Sequence, residues 1–130
     1  MRLAGRSAII TGAAGGIGRA IAVAFANAGA DLCLADVAPL DAVAATVIGL
    51  GRRAITAPAD VTRRADVEAM VAGTVAAFGG VDILVNVAGI VSFGSAATLP
   101  ETEWDRVLAI NLKGTFLCCQ AVIAPMRARN

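Results

Sequence analysis

Histidine and tyrosine are both absent from the 130 residues, and lysine occurs only once, at Lys113. Without histidine there is no Ser-His-Asp triad, no Cys-His pair and no His-ligated metal. Without tyrosine, no phenol can serve as a general acid. The three cysteines, Cys33, Cys118 and Cys119, form neither a metal-ligand spacing nor an even disulfide set, and no metal site is expected. Cys33 sits in an apolar run and reads as a small buried hydrophobe. Cys118 and Cys119 read as helix packing residues, and a reducing, cytoplasmic location fits this cysteine usage. An excess of one charge is missing too: 11 basic and 10 acidic side chains leave a formal net charge of +1. The densest basic pairs, Arg52-Arg53 and Arg63-Arg64, are expected at solvated element ends. No basic face is available for a nucleic-acid partner, which would need one to release counterions.

What the chain does have is apolar residues, 58% of the total, and a mean hydropathy of +0.75. The longest uncharged stretch, residues 83–100, is interrupted by Asn86, Gly89, Gly94 and several Ser and Thr residues. A membrane-spanning helix needs about 20 predominantly apolar residues, so this stretch reads as a strand followed by a loop. Residues 1–8 contain no apolar signal-peptide core. The hydropathy is that expected of a soluble protein in which alanine-rich helices cover a buried sheet. A chain of this size has room for one domain, burying roughly two-thirds of its unfolded surface.

Apolar runs and helical stretches alternate. Ser7–Thr11 reads as a strand ending in a glycine cluster, followed by a helix over 17–28 that stops at Gly29. Residues 32–35 form a second strand closed by Asp36, and a helix over 40–50 then ends at Gly51. A weaker third strand, 54–57, leads to Asp60. Thr62 is a candidate cap for a helix over 64–78, terminated by Gly79-Gly80. Residues 81–86 are the most strand-like, and one long helix is expected from about 100–102 to 126, with Pro125 near its end. Continuously apolar strands separated by helices imply an α/β fold with a parallel sheet covered on both faces. Right-handed crossovers give a doubly wound, partial Rossmann arrangement of strand order 3-2-1-4.

The turn Thr11-Gly12-Ala13-Ala14-Gly15-Gly16-Ile17-Gly18 joins the first strand to the first helix. Glycines here permit the tight turn, a close backbone approach to a pyrophosphate and close packing of helix on sheet. The helix N-terminus offers free N–H groups to the anion. A glycine-rich turn without a ligand is the alternative. Asp36 lies 18 positions beyond Gly18, close to the separation of about 20 expected of a ribose-binding acid. A carboxylate there repels a 2′-phosphate, and neither Ala14 nor Val37 supplies a compensating cation, so NAD is favoured over NADP. The alternative is a strand-end aspartate that merely starts a turn.

With these motifs the chain resembles the short-chain dehydrogenase/reductase family. Gly12, Gly16 and Gly18 fill that family's glycine spacing after Thr11. Asp60-Val61 matches the segment that contacts adenine. Asn86-Val87-Ala88-Gly89 is similar to its Asn-Asn-Ala-Gly signature, with Val87 in place of the second asparagine. Trp104-Asp105 and Ile110-Asn111-Leu112-Lys113-Gly114-Thr115-Phe116 resemble its long fourth helix. The resemblance implies an NAD-dependent oxidoreductase that moves a hydride between nicotinamide and an alcohol or carbonyl substrate. It implies cofactor contacts at Thr11, Gly12, Gly15, Gly16, Ile17, Gly18, Asp36, Asp60, Val61, Asn86, Ala88 and Gly89. It also implies a catalytic part for Asn111, whose carbonyl would hold a water in the proton relay. Asn86 has the alternative of tying strands together, Asp60 of being a loop acid, and Asn111 of kinking its helix. Trp104 reads as a packing anchor.

In the family a serine and a Tyr-x-x-x-Lys pair follow the helix that carries Asn111, and no replacement for them is evident. Ser92 and Ser95 lack a partner base, and Lys113 does not fit the missing lysine. The expectation is therefore one incomplete NAD(P)-binding domain over residues 1–130, truncated before strand five and inactive by itself. A non-catalytic dinucleotide-binding module and a degenerate gene fragment are the alternatives. The fourth strand is expected to expose an apolar edge, and the last helix an apolar face around Phe116, Leu117 and Val122. Both favour homo-oligomers or strand-edge self-association.

Overall fold

Ser7–Thr11 (β1), with three β-branched residues in a row, is buried along its whole length. A computed structural model of the chain describes residues 1–129. After β1 come α1 (Gly16–Asn27), β2 (Asp31–Asp36), α2 (Asp41–Gly49), β3 (Ala54–Pro58), α3 (Arg64–Phe78) and β4 (Ile83–Asn86). A loop then leads to α4 (Glu101–Leu108), a π-helical turn (Ala109–Lys113) and α5 (Gly114–Arg129). The four strands are parallel in the order β3-β2-β1-β4, the topology expected from the alternation of strands and helices. Parallel pairing gathers the carboxyl ends along one edge, where Thr11 lies opposite both Ala35 and Asn86.

Alternation along the strands sends side chains to two cores. Ile9, Cys33 and Ala35 pack with Val67 and Met70 of α3 and with Leu117, Cys118 and Val122 of α5. Ala8, Ile10, Leu32 and Leu34 point the other way, onto Ala22 and Ala26 of α1 and Val43 and Val47 of α2. The buried face of α1 is Gly18, Ala22 and Ala26, small residues four apart that let the helix lie close to the sheet.

Several expectations need correction. The long C-terminal helix is not uniform: the Gly114 N–H donates to the Ala109 carbonyl, five residues back, and the helix continues past Pro125 to Arg129. Thr62 does not cap α3: Arg63 takes the cap position without a side-chain bond, and the Thr62 amide and hydroxyl both donate to Asp60 Oδ1, at 2.9 and 2.7 Å. Cys118 is buried but Cys119 is exposed, since neighbours on a helix point about 100° apart. Trp104 is 58% exposed and anchors no core. Leu117 and Val122 are buried under α3 and the sheet, so the exposed apolar side chains of this region are Leu112, Phe116 and Ile123.

Two acidic side chains tie together the amino ends of the strands. Asp31, opening β2, accepts from Arg52 at 2.6 Å and from the Arg53 side chain at 2.6 and 2.8 Å. The guanidinium of Arg53 also lies 4.9 Å from the Phe78 ring centre, so this basic pair serves a structural purpose beyond solvation. Asp82, just before β4, accepts from Arg6 at 2.9 Å, the Ser7 amide at 2.8 Å and Arg129 at 3.2 Å. Burial pushes both carboxyls up, but it is outweighed. For Asp31 the opposing effects are the Arg53 bonds and the charges of Arg52 and Arg53. For Asp82 they are the Ser7 amide, the Arg6 bond and the charges of Arg129 and Arg6. Both carboxyls titrate below their ordinary value.

By length and composition the helical stretch Glu101–Arg129 is apolar enough to cross a membrane. Of its apolar residues, Leu117, Cys118 and Val122 fill the core beneath α3, while Leu112, Phe116 and Ile123 are exposed.

Candidate functional site

The carboxyl edge of the sheet opens into a cleft of about 520 Å³. Its floor is the turn after β1, with Gly12, Gly15, Gly16, Ile17 and Gly18 exposed to it; one wall is Ala35, Asp36 and Val37 at the end of β2. The opposite side is built from Ala59, Asp60 and Val61 after β3, then Val87, Ala88, Gly89 and Ile90 after β4, and Ile110 of the π-helical turn. Cleft and strand ends thus coincide, as in open parallel sheets generally.

The turn needs glycine at two places for different reasons. Gly12 has φ +67°, and a Cβ on it would come within 2.8 Å of the Ala88 amide nitrogen. Gly18 has no such backbone requirement, but a Cβ there would overlap the Gly12 carbonyl. Gly15 precedes α1 without a side-chain cap, and the first turn of α1 contains no acidic residue. Its N–H groups and positive potential are therefore left to an anion.

Asp36 is bound at both oxygens by backbone: Oδ2 accepts from the Ala14 amide and Oδ1 from the Ala38 amide, each at 3.0 Å. One carboxylate thereby fixes the glycine turn against the start of the β2–α2 connection. Asp60 is oriented by its neighbours, since Asp66 in the first turn of α3 accepts from its amide at 3.0 Å. The two bonds from Thr62 hold the Asp60 carboxyl below the ordinary value, against a smaller opposing effect of burial and with help from Arg63. Both Thr62 bonds fall on Oδ1.

Three of the residues singled out from the sequence do not line the cleft. Thr11 is buried, and its hydroxyl accepts from the Val87 and Ala88 amides, each at 3.2 Å, so it holds the loop after β4. Asn86 is exposed and donates toward Cys119 Sγ at 3.5 Å. Asn111 clamps Ile90 by two bonds of 2.8 Å, Oδ1 accepting from its amide and Nδ2 donating to its carbonyl. The Asn111 carbonyl accepts from the Thr115 hydroxyl at 3.0 Å. Sequence reading missed Ala35, Val37, Ala59, Val87, Ile90 and Ile110; all six directly adjoin a singled-out residue, and adjacency was the available signal. Ser95 accepts from the Ala97 amide at 3.2 Å, which ties it into the loop.

The sheet order, the glycine turn and the cleft at the strand ends define a Rossmann-like α/β unit. Residues 6–130 match the short chain dehydrogenase family. The chain is 47% identical over 123 residues to a D-threitol dehydrogenase of Mycolicibacterium smegmatis, covering 93% of this chain and 47% of that protein. It is 44% identical over 125 residues to a (2S)-[(R)-hydroxy(phenyl)methyl]succinyl-CoA dehydrogenase subunit of Thauera aromatica, covering 94% and 50%. The crystal structure of a short-chain type dehydrogenase/reductase from Mycobacterium marinum superposes with a TM-score of 0.94 at 37% identity, covering 98% of this chain and 52% of that one. The chain belongs to the short-chain dehydrogenase/reductase family, oxidoreductases that use a nicotinamide dinucleotide. It spans about half the length of the relatives it matches.

Proposed function

We propose that residues 1–130 form one incomplete dinucleotide-binding domain of a short-chain oxidoreductase, and that it takes NAD in preference to NADP. The observation that carries this reading is the convergence of the glycine turn, Asp36 and Asp60 on one cleft of about 520 Å³. The fit is good where it can be tested: a Cβ on Gly16 would meet nothing within 4 Å, leaving an open cradle beside the uncapped start of α1. In this reading the amides of Gly16 and Ile17 hold the pyrophosphate, while Gly12 and Gly18 shape the turn and Gly15 closes it by donating to the Gly12 carbonyl at 3.2 Å. Asp36 accepts from the adenosine ribose hydroxyls, Asp60 and Val61 border the adenine, and Ala88 and Gly89 border the nicotinamide end. A bound nicotinamide supplies the hydride acceptor or donor for an alcohol or carbonyl substrate. Thr11 holds the loop after β4 in place, and Asn86 links the end of β4 to Cys119 of α5. Asn111 is a positioning residue through Ile90, and any water on its carbonyl shares that oxygen with the Thr115 hydroxyl.

Titration of the purified chain with NAD and NADP tests the reading, and tighter NADP binding would reject the preference. Asp36→Asn removes the charge that repels a 2′-phosphate. It is expected to weaken NAD about tenfold, the worth of one charged hydrogen bond, and to abolish discrimination against NADP. No tyrosine is present, so incubation with NAD and a panel of secondary alcohols is expected to yield no NADH from these residues alone. A cytoplasmic location without nucleic-acid or membrane partners belongs to the same reading.

Self-association through the sheet is also proposed. β4 ends the sheet beside β1 and carries no charge or proline to discourage pairing. Sedimentation equilibrium is expected to show concentration-dependent association, and a monodisperse monomer across that range would count against it.

A further inference from the structure

Resting on the dinucleotide reading above, we propose that Gly114 sets the width of the adenine end of the cleft by letting the helix seat directly against Val61. Gly114 is buried, and a Cβ built on it would lie 2.5 Å from Val61 Cγ2 and 3.1 Å from Val61 Cβ. Its backbone does not call for glycine: φ −58° and ψ −45° are ordinary helical values, and a helix interior disfavours glycine relative to alanine. Two other helical glycines, Gly49 and Gly73, would meet nothing within 4 Å. The requirement at Gly114 is therefore steric, and what occupies the space is a residue of the cleft wall.

Neither partner can retreat freely. Val61 is β-branched and stiff at χ1, and it is only 6% exposed. The segment on which it sits is pinned by the Asp66 and Thr62 bonds to Asp60. Behind Gly114, Leu117 and Cys118 are locked into the core. Ahead of it, the π-helical turn carries Ile110 into the cleft and is fastened to Ile90 by the Asn111 clamp. A methyl group at position 114 would push Val61 toward the cleft or lever Ile110 away from it, and either movement reshapes the side of the cleft that both residues help build, opposite Asp36.

The 15N-labelled chain titrated with AMP, with affinity read from chemical shifts, tests this. Absence of AMP and NAD binding by the unmodified chain would overturn the dinucleotide reading and this inference together. Given binding, Gly114→Ala is expected to lower AMP affinity about tenfold, the scale on which a pocket senses one methylene. The double variant G114A/V61A is expected to return to within about twofold of Val61→Ala alone. Gly73→Ala, the control, is expected to bind as the unmodified chain does. A folded G114A chain with unchanged AMP affinity would overturn this inference alone. Should G114A fail to fold, the double variant decides. Folding and AMP binding like V61A support the inference; a double variant that stays unfolded or binds more weakly than V61A overturns it.

Discussion

Asp82→Ala is expected to lower the stability of the chain by about 2–4 kcal/mol, because it strands a buried donor and dissolves an ionic hub. The carboxylate is 5% exposed and holds three separate segments. Arg6 and the Ser7 amide belong to the start of the chain and β1, while Arg129 is at the end of α5. Arg129 extends the clasp by donating to the carbonyls of Phe78 and Gly5, each at 3.2 Å. Both arginines can turn to water when Asp82 is removed, so the larger part of the loss comes from the Ser7 amide and from the lost crosslink. For a domain whose whole stability is of order 5–15 kcal/mol, thermal melting should fall by about 10 °C. The effect also has a pH signature. The folded carboxyl of Asp82 lies below its ordinary value of 3.8, so its contribution is complete above that value and is lost as pH falls through it toward the folded value. Asp31 adds a loss of the same sign over the same range. Urea titrations from pH 6 down to about pH 2 should show the native chain losing stability steeply. The Asp82→Ala chain should start lower and fall less; parallel curves would refute the assignment.

These hubs mark the limit of what can be read from the sequence. Strand order and the two-faced core follow from local pattern: continuously apolar strands, alanine-rich helices, and glycines where chain direction changes. The glycine turn and Asp36 were legible for the same reason, since spacing along the chain constrains where they meet. The partners of Asp82 are scattered across the chain, and nothing local in Arg6 or Arg129 distinguishes them from solvated arginines. The π-helical turn was equally hidden. A single extra residue leaves the apolar pattern on either side nearly helical, so the stretch from about 100–102 to 126 reads as one uniform rod. Asn111 was the visible symptom, a poor helix former in mid-helix. Its use, a two-bond clamp on Ile90, depends on a loop 21 positions away. Thr62 looks like a cap because a threonine precedes the helix, but α3 starts at Arg64 with Arg63 in the cap position, one residue past Thr62. Asp36 carried two tasks where spacing suggested one: besides facing the cleft, it ties down the Ala14 amide.

The largest functional effect is expected from a single methyl group at the phosphate-binding turn, Gly12→Ala. Gly12 combines a left-handed backbone, φ +67°, with direct contact to the loop after β4, where an added Cβ would lie 2.8 Å from Ala88 N and 3.0 Å from Ala88 Cα. The first feature costs an L-residue roughly 1–2 kcal/mol. The second adds about 1–3 kcal/mol, because the atoms struck are backbone and cannot rotate aside. The loop cannot back away without breaking the two amide bonds to the Thr11 hydroxyl. A strain of about 3 kcal/mol leaves under one molecule in a hundred with the native turn, and apparent affinity falls with that competent fraction. NAD binding should therefore weaken by about two orders of magnitude, while far-UV circular dichroism stays close to that of the unmodified chain. The core beneath the turn explains that separation. Ala8, Ile10, Leu32 and Leu34 pack against α1 and α2 below the level of Gly12, so the turn can distort while the sheet remains intact. Gly18→Ala acts at the opposite end of the same turn, where its Cβ would strike the Gly12 carbonyl, and should produce the same loss through a different contact. A Gly12→Ala chain that binds NAD within twofold of the unmodified protein would show that the ligand does not use this turn.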